Sequence, residues 1–158
     1  MRLYLIRHAD AGTRALSERD IYRPLSDEGR KQATELAQLL TNAGIVRVLS
    51  SPASRCVQTV EPLAQNQGLE VIEHRDLWEG SSTYDALAVL ASDHGGPAAV
   101  CSHGDVIPAV IQTLGASGVP IKGRSCAKGS IWVLERSGNK WTRARYFDPT
   151  KGNPAILY

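Results

Sequence analysis

Short apolar runs and stretches with helical periodicity alternate through the first two thirds of the chain, the signature of β-α units wound around a mostly parallel sheet. The runs Leu3 to Arg7, Val46 to Ser50, Glu70 to His74 and Ala98 to Ser102 are the predicted strands. Between the first two, Ser26 can cap a helix with Asp27 and Glu28 in its first turn. Its inner face is Ala33, Leu36, Ala37, Leu40 and Ala43, and Gly44 is its stop. Ser51-Pro52 reads as a second helix start, a cap followed by proline at the first helical position. Val57, Val60 and Ala64 then face inward, and Pro62 kinks the far end. Tyr84 to Ala91 and Val106 to Leu114 form two more amphipathic helices, the second tolerating Pro108 in its opening turn.

Glycine, proline and serine dominate from Gly115 to Ser130, which reads as a loop. Ile131 to Glu135 and Trp141 to Phe147 then flank the turn Ser137-Gly138-Asn139 as an antiparallel hairpin, and Asp148 to Tyr158 is coil. Gly12 to Pro24 carries Arg14, Glu18, Arg19, Asp20 and Arg23 without an apolar face, so it is a long loop over the sheet edge and a candidate substrate lid. The expected fold is α/β: a mostly parallel central sheet with helices on both faces and a C-terminal β-hairpin, in one domain spanning residues 1–158.

Composition narrows the class. With 158 residues, 42% of them hydrophobic and 22% charged, the chain suits one ordinary globular domain with its own core. The formal charge of +2 comes from scattered Lys and Arg, which argues against a nucleic-acid or membrane partner and allows a local anion pocket. No apolar run approaches a membrane span and Met1 leads straight into a strand, so the expected location is cytoplasmic. Cys56, Cys101 and Cys126 are odd in number and lack C-x-x-C spacing, which points to reduced thiols rather than disulfides or zinc.

Three segments directly after predicted strands carry the candidate chemistry: Arg7-His8-Ala9-Asp10, Ser51-Pro52-Ala53-Ser54-Arg55 and Ser102-His103-Gly104-Asp105. Ligands of open parallel sheets bind beyond the carboxyl ends of the strands, so these pieces meet at one edge. Arg7 and Arg55 supply planar cationic forks that match phosphate oxygens, His8 and His103 supply a nucleophile and a donor, and helix starts near Pro52 and Gly104 add backbone N–H groups. Each element alone is weak; the combination at three strand ends is an oxyanion pocket. A histidine nucleophile must be unprotonated, and the cations around His8 disfavour another positive charge there. His74 and His94 match no motif and read as exposed or strand-end residues, while Trp78, Trp132 and Trp141 read as core or hairpin packing.

Leu5-Ile6-Arg7-His8, the run Arg23 to Ala33, Ser51-Pro52 through Arg55 with Gln58-Thr59, and Ser102-His103-Gly104 together resemble the histidine-phosphatase, or phosphoglycerate-mutase-like, superfamily. The resemblance runs from Leu3 to about Leu134. It implies that His8 accepts the phosphoryl group, that Arg7, Arg55 and His103 clamp it, and that no metal or other cofactor is needed. Many members carry glycine where this chain has Ala9, which implies a slightly tighter pocket. Glu79 sits in the region of the family's proton-donating acid, with Asp105 and Asp10 as competitors.

Three functions follow from this reading. The short chain suits a phosphohistidine phosphatase, whose open site admits a side chain of another protein. Cys101 to Pro108 and Cys126 to Ser130 look like the phosphatase half of proteins that join this domain to a Nudix hydrolase, which implies a small-molecule or nucleotide polyphosphate substrate. Gly104, Asp105 and Lys128 would then contact substrate, Lys128 reaching an extra phosphate. A non-catalytic phosphate-binding module is the third, and the intact nucleophile set argues against it.

Overall fold

The computed structural model describes residues 1–13 and 19–158. Its strands are β1 (Arg2–Arg7), β2 (Arg47–Ser50), β3 (Val71–Glu73), β4 (Ala98–Ser102), β5 (Ile121–Lys122), β6 (Ile131–Ser137) and β7 (Lys140–Phe147). They form one mixed sheet in the order β3-β2-β4-β1-β6-β7-β5. β6 runs antiparallel to both β1 and β7, and the other pairings are parallel. The helices are α1 (Asp27–Leu39), α2 (Ser54–Gln67), α3 (Thr83–Ala91) and α4 (Val106–Ala116).

Strand side chains alternate between two cores. Tyr4, Ile6, Val48, Ala99, Cys101 and Val133 pack against α1 and α2, while Leu3, Leu5, Leu49, Val100 and Leu134 pack against α3 and α4. Burial on both faces explains why β1 and β4 read as nearly unbroken apolar runs. The register then aligns the functional ends. Arg7 lies opposite Ser102 and Ser50 opposite Cys101, so the chain leaves β1, β4 and β2 at one edge.

Several local expectations need correction. Ser26 does cap α1, its hydroxyl accepting from Gly29 N at 3.1 Å, but the helix ends at Leu39 and a turn separates it from Gly44. Ser51-Pro52 does not open α2: Ala53 is the N-cap and has no polar side chain to cap with, while the Ser51 hydroxyl accepts from Ala53 N at 3.3 Å and lies 2.8 Å from His103 Nε2. The loop after α4 contains β5, whose Ile121 lies opposite Ala144; a two-residue strand is too short to leave a periodic signal. The tail folds into a 3-10 turn, Pro154–Leu157, which buries Leu157 completely and lets the Tyr4 hydroxyl donate to Leu157 O at 2.6 Å. His94 is buried rather than exposed, with Nε2 3.3 Å from Leu90 O, and burial lowers its pKa. Of the expected lid loop, Arg14 and Glu18 lie outside the described residues, while Asp20–Tyr22 form a 3-10 turn.

The buried tail makes a stability prediction. Leu157→Ala should cost about 2–5 kcal/mol, the usual range for emptying a buried leucine site, seen as a lower urea midpoint with an unchanged slope.

Candidate active site

His8 leaves the end of β1 with its N–H donating to Ser102 O at 3.1 Å, which ties it to the neighbouring strand. Its ring is nearly buried, and Nδ1 lies 2.8 Å from Ala9 O. A carbonyl only accepts, so Nδ1 carries the proton and Nε2 keeps its lone pair. Burial pulls the imidazolium pKa from 6.5 down to about 3, and the charges of His103, Arg55 and Arg7 push the same way against the opposing bond to Ala9 O. The structure therefore holds a neutral, single-tautomer imidazole among cations.

Arg55, at 1% exposure, is one of the largest fully buried side chains in the protein. The first turn of α2 carries it toward the strand ends. Its Nη1 donates to Asp20 O at 2.9 Å, and its Nη2 lies 3.1 Å from Asp20 Oδ2, 3.5 Å from Glu79 Oε2 and 3.5 Å from His103 Nδ1. Thr59, one turn on, donates to Arg55 O at 2.6 Å and accepts from Ala9 N at 2.9 Å. One hydroxyl thus links α2 to the segment carrying His8.

Arg7 reaches across to Cys126 O, donating from Nη1 at 2.6 Å. Gly104 lies against its guanidinium: a Cβ there would sit 2.7 Å from Arg7 Cζ. This glycine is required by close approach, not by backbone angle. The Nε atoms of Arg7 and Arg55 are both buried without a hydrogen-bond partner among the described residues, an arrangement that an oxyanion would satisfy.

His103, also 1% exposed, has Nε2 2.8 Å from Ser51 Oγ and 3.5 Å from Cys56 Sγ. Its ring centroid is 5.5 Å from that of His8 and 5.3 Å from that of Trp78, both edge-on, and Arg55 lies over the Trp78 ring at 5.8 Å. Trp78 is therefore a wall of the site as well as packing against the core beneath α1 and α2, the role expected of it. Ser51 and Asp20 also belong here. The serine was legible as a cap candidate, whereas nothing local in the sequence marks Asp20 as the partner of a residue 35 positions away.

The acids separate. Glu79 keeps half of its side chain exposed while touching Arg55, so it stands at the mouth of the pocket. Asp105 caps nothing with its side chain and instead accepts from Gly80 N at 2.8 Å, bracing the loop that carries Glu79. Asp10 accepts from the Ser26 hydroxyl at 2.5 Å and pairs with Lys128 at 3.3 Å. The Ser26 bond leads in holding the Asp10 carboxyl below its ordinary range, a poor state for an acid. Lys128 sits at the rim through this pair, beside Gly129, whose N–H bonds Arg7 O and His8 O at 3.1 and 3.2 Å. Ala9 does not tighten the pocket: it is fully buried in a small cluster with Leu25 and Ala33.

The family model of the histidine phosphatase superfamily (branch 1) matches residues 3–83. The chain belongs to this superfamily. It is 32% identical over 155 residues to an 8-oxo-(d)GTP phosphatase of Mycolicibacterium smegmatis, a match covering 92% of this chain and 47% of that protein. The chain spans about half the length, or less, of the curated relatives it matches. Among solved structures it is 28% identical to a phosphohistidine phosphatase SixA described from Nakamurella multipartitia, with 92% of each chain covered and a TM-score of 0.69. A tungstate complex of the protein histidine phosphatase SixA superposes over 100% of both chains with a TM-score of 0.74 at 22% identity, a likeness of fold.

Two predictions come from this geometry. The His8 ring should show no NMR titration midpoint between pH 5 and 8. Because its folded pKa lies below the unfolded value, the unfolded state binds the extra proton between about pH 6.5 and 3, so His8 subtracts stability as pH falls through that window. The stability difference between wild type and His8→Asn, followed by urea unfolding, should shift against the wild type from pH 7 to 4.5. Separately, Gly104→Ala should destabilise by about 1–3 kcal/mol through overpacking on Arg7, also read by urea unfolding. A glycine with free space around it would instead gain stability on this change.

Proposed function

We propose that this chain is a metal-independent phosphatase that works through a phosphohistidine on His8. The observation that carries the reading is the buried, neutral His8, its Nε2 left unprotonated by the Nδ1 bond to Ala9 O and its ring beside His103. Nε2 attacks phosphorus as the bond to the leaving oxygen or nitrogen breaks, and Glu79 at the pocket mouth protonates an alkoxide-type leaving group. Water then attacks phosphorus, Nε2 departs, and Glu79 takes up the water proton. Arg7, Arg55 and His103 stabilise the equatorial oxygens in both steps, and the fixed charges of the two arginines do the work for which many phosphoryl-transfer sites use a metal. Arg55 Nη2 can only donate to His103 Nδ1, so His103 Nε2 carries the proton and donates to the Ser51 hydroxyl.

For the substrate, the 32% identity over nearly the whole chain to a protein named an 8-oxo-(d)GTP phosphatase favours a nucleoside polyphosphate. Lys128 at the rim, exchanging Asp10 for a second phosphate, suits that class. A phosphohistidine substrate is the second reading. It is favoured by the 28% identical SixA structure and by the exposure of Glu79, because an imidazole leaving group depends little on an acid.

The test is one panel on the full chain after exhaustive chelation: nucleoside di- and triphosphates, a phosphohistidine protein and simple phosphate esters, compared by kcat/KM. Wild type should turn over at least one class without added metal and trap acid-labile phosphate. His8→Ala should lose both turnover and label. Label persisting in that variant, or activity that returns only with a divalent ion, would refute the reading.

A further inference from the structure

We propose that Asp20 is an internal competitor for the oxyanion pocket, its carboxylate engaging Nη2 of Arg55 beside the unpartnered Nε that an entering oxyanion would meet, and thereby setting the pocket's affinity for phosphate-like anions. The inference rests on reading the pocket as a phosphoryl site. Asp20 holds both ends of the Arg55 fork, with its carbonyl oxygen 2.9 Å from Nη1 and its carboxylate Oδ2 3.1 Å from Nη2. The carboxylate meets Nη2 with a single charged oxygen, and an oxygen of an entering phosphoryl group would need that same donor, so the two compete for Nη2. Arg55 is 1% exposed and the Asp20 side chain 14%, so the pair is only weakly screened by solvent. Arg7 differs: its Nη1 is met by a neutral carbonyl, Cys126 O, at 2.6 Å. The competing negative charge therefore acts mainly on Arg55.

Displacement is also chemically feasible. The other carboxylate oxygen of Asp20, Oδ1, accepts from Arg23 Nε at 3.1 Å, and Arg23 is anchored by Ala11 O and Gly12 O at 3.4 and 3.2 Å. When an arriving anion takes Nη2 of Arg55, Asp20 keeps a guanidinium partner and is not left as an unpaired buried charge. The exchange trades one Arg55 ion pair for another, so a dianion, carrying more charge than the carboxylate it replaces, gains most. Release of phosphate is assisted by the same step in reverse.

A rigid positioning role for Asp20, orienting Arg55 for catalysis, predicts the opposite sign. The experiment measures dissociation constants of orthovanadate and inorganic phosphate by calorimetry for wild type, Asp20→Asn and Asp20→Ala at one ionic strength, with folding checked by circular dichroism. Both variants should bind roughly tenfold tighter, the scale of one charged hydrogen bond, with stronger product inhibition by phosphate. In wild type, the Asp20 carboxyl carbon resonance should move on phosphate saturation, a reading that needs no variant. Wild-type binding with equal or weaker binding by folded variants, or an Asp20 resonance that does not move, overturns the inference alone. Absence of anion binding by all three proteins overturns the pocket reading and the inference together.

Discussion

Arg55 is a permanent charge with almost no contact with water, and that constraint organises the rest of the site. A buried guanidinium without compensation is unstable, so its surroundings must supply acceptors. Asp20, Glu79 and His103 converge on its terminal nitrogens from three different parts of the chain, and Trp78 offers the face of its ring. The same burial raises the electrostatic value of Arg55 to any anion that enters, because low local polarity strengthens a charged hydrogen bond. Arg55 therefore couples the packing around it to the charge that the pocket presents.

His8 answers to the same environment in the opposite sense. Burial and neighbouring cations that favour an anion disfavour an imidazolium, which keeps the ring neutral and nucleophilic. Orientation comes from the backbone: Ala9 O fixes the tautomer, Ser102 O holds the His8 N–H, and Thr59 ties Ala9 to α2. The sheet register enforces these contacts, since Arg7 and Ser102 are paired across β1 and β4. Packing of the two cores and preorganisation of the pocket are therefore one property: a strand shifted by one residue would exchange the side chains facing the two cores and part His8 from His103.

The support of the site is divided by distance from the chemistry. Asp105 and Asp10, which resemble catalytic acids on paper, do structural work on the loops beside the pocket, one through Gly80 N and the other through Ser26 and Lys128. Glu79 alone among the three acids considered touches Arg55. Gly104 shows how closely the parts are fitted, for a Cβ there would run into the Arg7 guanidinium beside the start of α4.

Sequence by itself determined the β-α alternation, the Ser26 cap, the terminal hairpin and the coincidence of Arg7, Arg55, His8 and His103 with strand ends, because each depends on local periodicity or on a rule of parallel sheets. Tertiary structure decided the remainder. Trp78 became a wall of the pocket, Ser51 a partner of His103 rather than a helix cap, Asp20 the partner of Arg55, and Leu157 a core residue. Each of these depends on a contact between residues far apart in the chain. Local propensity has no term for such a contact, whose existence follows only from sheet order, register and the faces that the helices cover.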